Sequence, residues 1–220
     1  MKKIISGITI MLVTALSIQA QQKQSAESDR IVEVSTSFGN MKIKLYNETP
    51  KHRDNFIKLA SEKFYDGLLF HRVINGFMIQ GGDPNSKNAT PEAMLGGGDV
   101  GYKVPGEFND KLIHKKGTLC AARDGNPEKA SSGCQFYIVQ GKKLTDQELD
   151  QLDKNRTVKY TPEQRTIYKT IGGTAFLDNN YTVYGEVIEG LDVIDKIAAV
   201  KTKPGDRPET DVKMTVKVIK

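Results

Sequence analysis

A chain of 220 residues, 38% apolar and 27% charged, is long enough to bury one core without metal or disulfide staples, and its composition is that of a soluble globular domain. The formal charge of +5 falls to +3 without Lys2 and Lys3, and lysines alternate with acids along the chain. So mild and mixed a balance argues against a nucleic-acid partner, and three scattered histidines (His52, His71, His114) with no CxxC or HExxH argue against a metal centre.

The first twenty residues stand apart. Met1-Lys2-Lys3 is basic, Ile4 to Ile18 is largely apolar, and Gln19-Ala20-Gln21 offers a small residue at a cut. This pattern predicts a secretory signal peptide over residues 1–20 and an exported mature chain, periplasmic or secreted, with no stable membrane insertion after cleavage. The polar run 21–29 reads as a flexible lead-in, followed by a single folded domain over 30–220.

Order starts with two alternating β-rich runs, Ile31–Phe38 and Met41–Tyr46, predicting a hairpin that turns at Gly39-Asn40. Thr49-Pro50 reads as an N-cap with proline at the first helical position. Phe56, Leu59, Ala60 and Phe64 then follow at helical spacing, predicting a helix to about Phe64 that leaves through Asp66-Gly67. The glycine-rich stretch Leu95–Tyr102 lacks the Gly-Lys-Ser/Thr of a phosphate cradle, and reads as backbone bending close around another element.

Further strands are expected over 117–123, 135–140, 181–188 and 212–219, with a loop over 126–132 and a short helix over 190–198. Cys120 and Cys134 sit in apolar runs and read as two buried small residues in preference to a bridge. The polar segment 142–172 carries two capping-box patterns, Thr145 to Glu148 and Thr161 to Gln164, which predict two short helices. This segment either borders a wall of the site or is a solvated excursion.

The richest stretch is Phe70-His71-Arg72-Val73-Ile74-Asn75-Gly76-Phe77-Met78-Ile79-Gln80-Gly81-Gly82-Asp83. One arginine stands among apolar residues, and strand alternation sets Arg72 and Ile74 on one face, before two glycines end the run. Read alone, it allows a buried arginine that pairs with Glu107 or Gln135 to stabilise a sheet, with Phe77 and Met78 as core.

This motif resembles the signature of cyclophilin-type peptidyl-prolyl cis-trans isomerases. The resemblance continues in Gly117–Arg123, in Ser132–Ile138, and in Phe176-Leu177-Asp178 with Tyr181 and Val183–Val187. It implies a mainly β fold, a closed eight-stranded antiparallel barrel capped by two α-helices, here with a short helical insertion. It also implies rotation about X–Pro bonds of exported polypeptides, without cofactor or metal, by a monomer.

By the same resemblance Arg72 is the catalytic cation, and Phe77, Met78, Tyr137 and Leu177 form the pocket for the proline ring. Gln80, Ala122, Arg123 and Gln135 hold the flanking backbone. Phe176 and Tyr181 stand where many members carry tryptophan and histidine, and Tyr137 replaces the more usual phenylalanine. The competing functional reading is a non-catalytic proline-peptide-binding or chaperone-like module using the same groove.

Overall fold

The computed structural model describes residues 30–220, so the signal peptide and lead-in expected over 1–29 lie outside the described residues. Eight strands form one antiparallel sheet: β1 (Arg30–Thr36), β2 (Gly39–Leu45), β3 (Arg72–Ile74), β4 (Met78–Gly81), β6 (Thr118–Ala121), β8 (Phe136–Val139), β9 (Val183–Glu189) and β10 (Met214–Val218). Their spatial order is β10-β1-β2-β9-β6-β8-β4-β3, while β5 (Lys103–Val104) pairs with β7 (Ser131–Ser132) in a separate small sheet.

The sheet is an open half-barrel, which corrects the expectation of a closed one. Its edges are β3 and β10. β3 is only three residues long because the chain turns at Asn75-Gly76, and Val73 N donates to the loop carbonyl of Asp206 at 2.8 Å rather than to a strand. Across the gap between the edges run main-chain bonds such as Phe70 N to Val212 O and Met214 N to Leu68 O, each 2.9 Å, around the isolated bridge Leu69–Lys213. An edge covered in this way has few amides left for another chain.

The first hairpin forms, with its turn at Ser37-Phe38 rather than Gly39-Asn40. The Thr36 hydroxyl donates to Gly39 O at 2.9 Å and accepts from Phe38 N at 3.1 Å, which fixes the turn two residues earlier than expected. Helix α1 (Pro50–Ser61) also stops early, because Lys63 takes a left-handed conformation at φ 58°. Its N-terminus is not capped by Thr49. Glu107, from a distant loop, accepts instead from Lys51 N at 3.1 Å and His52 N at 3.0 Å.

Residues alternate across the strands, so the sheet has two apolar faces. One carries Val32, Ile43, Leu119, Phe136 and Ile138 into the main core, where α1 adds Phe56 and Leu59 and α4 (Leu191–Ala198) adds Ile194 and Ile197. The opposite face carries Met78, Cys120, Tyr137, Val139 and Val183. β6 and β8 are therefore buried on both sides, and Cys120 and Cys134 are both buried and free.

The insertion forms α2 (Asp146–Lys154) and α3 (Pro162–Thr170), each with the predicted capping box complete. Leu149, Tyr160 and Tyr168 of this segment join Ile113 and Ala175 in a third apolar cluster. The insertion is thus packed against the domain rather than merely solvated.

Candidate functional site

The rich stretch is a hairpin, not one strand. Arg72 stands directly opposite Gln80, and Gln80 opposite Tyr137 on the next strand. Because aligned residues on neighbouring antiparallel strands share a face, the pairing sets guanidinium, amide and phenol in one row on the second apolar face. The turn is held by Gln140, whose Oε1 accepts from Gly76 N at 2.6 Å, while Phe77 O accepts from Gln140 N and Gly141 N.

These elements enclose a cleft of about 320 Å³ whose lining includes nine of the eleven expected residues: Arg72, Phe77, Met78, Gln80, Ala122, Arg123, Tyr137, Leu177 and Tyr181. His71, Leu95, Gly96 and Gly205 also line it. Of the two expected residues outside, Gln135 sits one step behind Gln80, and Phe176 stands at the rim, stacked on Phe77 with ring centroids 5.7 Å apart.

Arg72 does not pair with Glu107 or Gln135, and its side chain is 42% exposed. Its Nε donates to Asp206 Oδ2 at 3.3 Å and its Nη1 to Gln80 Oε1 at 3.4 Å. Gln80 Nε2 donates to Gln135 Oε1 at 3.1 Å, and Gln135 Nε2 donates to Gly96 O and Gly98 O at 3.0 and 2.9 Å. Each amide thus has its orientation set by the next, and the glycine-rich loop anchors the row. Of the five N–H groups on a guanidinium, three on Arg72 have no partner among the described residues.

On the opposite rim Arg123 donates from Nε to Asn180 O at 3.0 Å and lies 4.6 Å from the Tyr181 ring centroid. A cation over that ring holds both side chains in place. Apolar walls, a row of oriented donors and one partly free cation can hold an extended peptide and favour a strained amide over a relaxed one.

Sequence reasoning missed what lies under the floor. Tyr137 Oη is 3.0 Å from His114 Nε2, and His114 Nδ1 is 2.7 Å from Asp178 Oδ1. Asp178 Oδ1 also accepts from His114 N at 2.8 Å, while Oδ2 accepts from Tyr160 and Tyr168 of the insertion at 2.9 and 2.6 Å. Burial opposes a charge on His114, but Cys120 and the Asp178 carboxylate hold its pKa up to about 9. Burial drives the Tyr137 hydroxyl far above its ordinary range. The hydroxyl at 137 and the aspartate following Phe176-Leu177 were visible, but nothing in their spacing linked them.

His71 is the other omission. It is 3% exposed, neither ring nitrogen has a hydrogen-bond partner among the described residues, and burial pushes its pKa down to about 4.

A half-barrel with a peptide-sized apolar cleft and an arginine at its rim defines a class of peptide-binding domain. The family model for cyclophilin-type peptidyl-prolyl cis-trans isomerases matches residues 31–218, and the chain belongs to that family. Proteins of Staphylococcus aureus named "Putative peptidyl-prolyl cis-trans isomerase" are 36% identical over 191 residues, 86% of this chain and 91% of theirs. A Staphylococcus haemolyticus protein of the same name is 35% identical over 192 residues, with the same coverage. Among solved structures, a Cryptosporidium parvum cyclophilin superposes with a TM-score of 0.66 at 21% identity, covering 88% of this chain and 99% of that one. The same protein crystallised in the presence of the dipeptide Ala-Pro gives 0.62 at 20% identity, covering 86% and 99%.

Proposed function

We propose that this chain accelerates cis-trans rotation about X–Pro bonds in exported polypeptides, with Arg72 as the catalytic residue. The observation that carries the reading is the row Arg72, Gln80, Tyr137 beside the apolar walls Phe77, Met78 and Leu177. X–Pro rotation faces a barrier of about 18–20 kcal/mol set by amide resonance, and no nucleophile or metal is needed to lower it. The proline ring enters the pocket of Phe77, Met78, Tyr137 and Leu177. Gln80, Ala122, Arg123 and Gln135 fix the flanking backbone, with Phe176 and Tyr181 closing the far rim.

As the bond twists, the proline nitrogen loses conjugation and becomes basic. A free Arg72 N–H then donates to it, an interaction available only in the twisted state. An acceleration of about 10⁵ needs roughly 7 kcal/mol of such preferential binding, which one charged donor plus shape-selective contacts can supply. The basic, apolar and small-residue pattern of residues 1–21 supports export.

The test is relaxation of an Ala-Pro peptide from cis to trans. Wild type accelerates it, and Arg72→Ala lowers kcat/KM by about 10²–10³ while remaining folded. Equal rates for the two proteins would leave only a peptide-binding module. Export is checked by sequencing the N-terminus of the mature protein, expected to start near Gln21.

A further inference from the structure

The insertion and the segment 175–180 enclose a second cleft of about 660 Å³, roughly twice the first. Phe176 joins the two clefts: it lines the second, its ring stacks on Phe77 of the proline cleft, and the next residue, Leu177, lines that cleft. The loop between α2 and α3 also lines the second cleft. Phe176 and Val158 are 56% and 49% exposed, large apolar groups left open in the lining of this cleft. The Asn155 amide and the Thr157 hydroxyl, in the same wall, have no hydrogen-bond partner among the described residues.

This loop is nevertheless held in shape. Arg156 donates from Nε to Val158 O at 3.0 Å, lies 4.0 Å from the Tyr160 ring centroid, and approaches buried Asp178 at 3.9 Å. The acids of the cleft face a cation, since Arg156 approaches Asp110 and Asp178 at 3.8 and 3.9 Å, while Lys129 donates to the neutral Asn180 Oδ1 at 2.7 Å. Beside the Lys129 ammonium, what remains open is apolar surface and neutral hydrogen-bonding groups. That chemistry suits the backbone and an apolar side chain of an extended, unfolded polypeptide.

Building on the isomerase reading, we infer that the second cleft is an extended-substrate site for residues flanking the proline. A strand rises about 3.3 Å per residue, so the 5.7 Å between Phe77 and Phe176 is crossed in about two residues. A side chain two to four places from the proline lodges between Phe176 and Val158, while Asn155 and Thr157 take up its backbone. Binding energy from that remote contact favours long unfolded chains over short peptides.

The test compares a fluorescent tetrapeptide centred on Ala-Pro with versions lengthened by four residues on either flank, each carrying leucine two to four places from the proline. Lengthening on one flank tightens binding to the full chain about tenfold by anisotropy. The paired substitution Asn155→Ala and Val158→Asp removes that advantage and leaves tetrapeptide isomerisation and the melting temperature unchanged. No gain on either flank, or a gain that survives in the variant, overturns the extended site. Binding and rate are read separately, so tighter binding without acceleration sinks the isomerase reading alone, and normal tetrapeptide turnover without the gain sinks the extended site alone.

Discussion

Tyr168, on the second helix of the insertion, donates its hydroxyl hydrogen to Asp178 Oδ2 at 2.6 Å. That bond ties a segment outside the barrel strands to the floor of the proline cleft, because the same carboxylate holds His114 and His114 holds Tyr137. A buried carboxylate is tolerated only when its lone pairs are met, and Asp178 meets four donors. Asp178→Asn is therefore expected to cost about 3 kcal/mol, and Tyr168→Phe about 1–2 kcal/mol. Urea denaturation of both variants checks the order, and a neutral Asp178→Asn would show that the insertion is not anchored through this group.

Stability should depend on pH in two opposed limbs, each assigned to one buried ring. His114 is raised to about 9 from an ordinary 6.5, so the native state binds its proton more tightly than the unfolded chain. Its contribution is fully present below about pH 6.5 and is lost as pH rises through 9. His71 is lowered to about 4, so the unfolded chain binds that proton more readily, and stability falls as pH drops from about 6.5 toward 4. His52, lowered by burial despite Glu107, adds to the acid limb. His114 and His71 each contribute roughly 3 kcal/mol at most, giving a maximum near pH 6.5. Denaturation midpoints across pH 4–9 trace the curve; His71→Gln should flatten the acid side and His114→Gln the alkaline side.

Helix α1 depends on a partner 55 residues away. Glu107 accepts from two of its first amides and lies 2.7 Å from His52 Nδ1, while His52 Nε2 reaches Ser131 Oγ at 2.9 Å. A carboxylate at a helix N-terminus satisfies free N–H groups and faces the positive end of the helix dipole. Glu107→Ala removes both effects and strands a buried ring nitrogen, at a cost of about 2–3 kcal/mol in a melt or urea titration. Thr49→Ala should cost little by comparison, because its hydroxyl makes no hydrogen bond among the described residues.

The divide between what the residues announced and what they did not follows the range of the interactions. Capping boxes at Thr145 and Thr161, the exit of α1 before Gly67 and the alternation of β10 are set within a few residues, and all appear, the ends of α1 and β10 shifted by up to three positions. Arg72, Gln80 and Tyr137 were each named from the motif segments, but their alignment in one row comes from the pairing of three strands, which no local pattern shows. Closure of the barrel was not legible, because it depends on whether the backbone at 67–70 and 212–214 extends into a ladder. The Asp178 hub was equally hidden: its four donors come from His114, Tyr160 and Tyr168, which no local pattern brings together.

Tyr137 separates the two jobs of the cleft floor. Its ring supplies apolar surface to the proline pocket, with Tyr181 edge-on at 6.0 Å, while its hydroxyl faces away from the pocket toward buried His114. Tyr137→Phe keeps the ring and deletes the hydroxyl, so kcat/KM on an Ala-Pro peptide should stay within about threefold of wild type. His114 Nε2 is then left buried without a partner, and stability should fall by about 1–2 kcal/mol. The change should also pull the alkaline limb of the stability profile toward neutral pH, since an imidazolium with one unmet N–H holds its proton less tightly. Parallel measurement of turnover, urea midpoint and the pH profile decides the matter: a large loss of turnover with unchanged stability would place the hydroxyl in the reaction rather than beneath it.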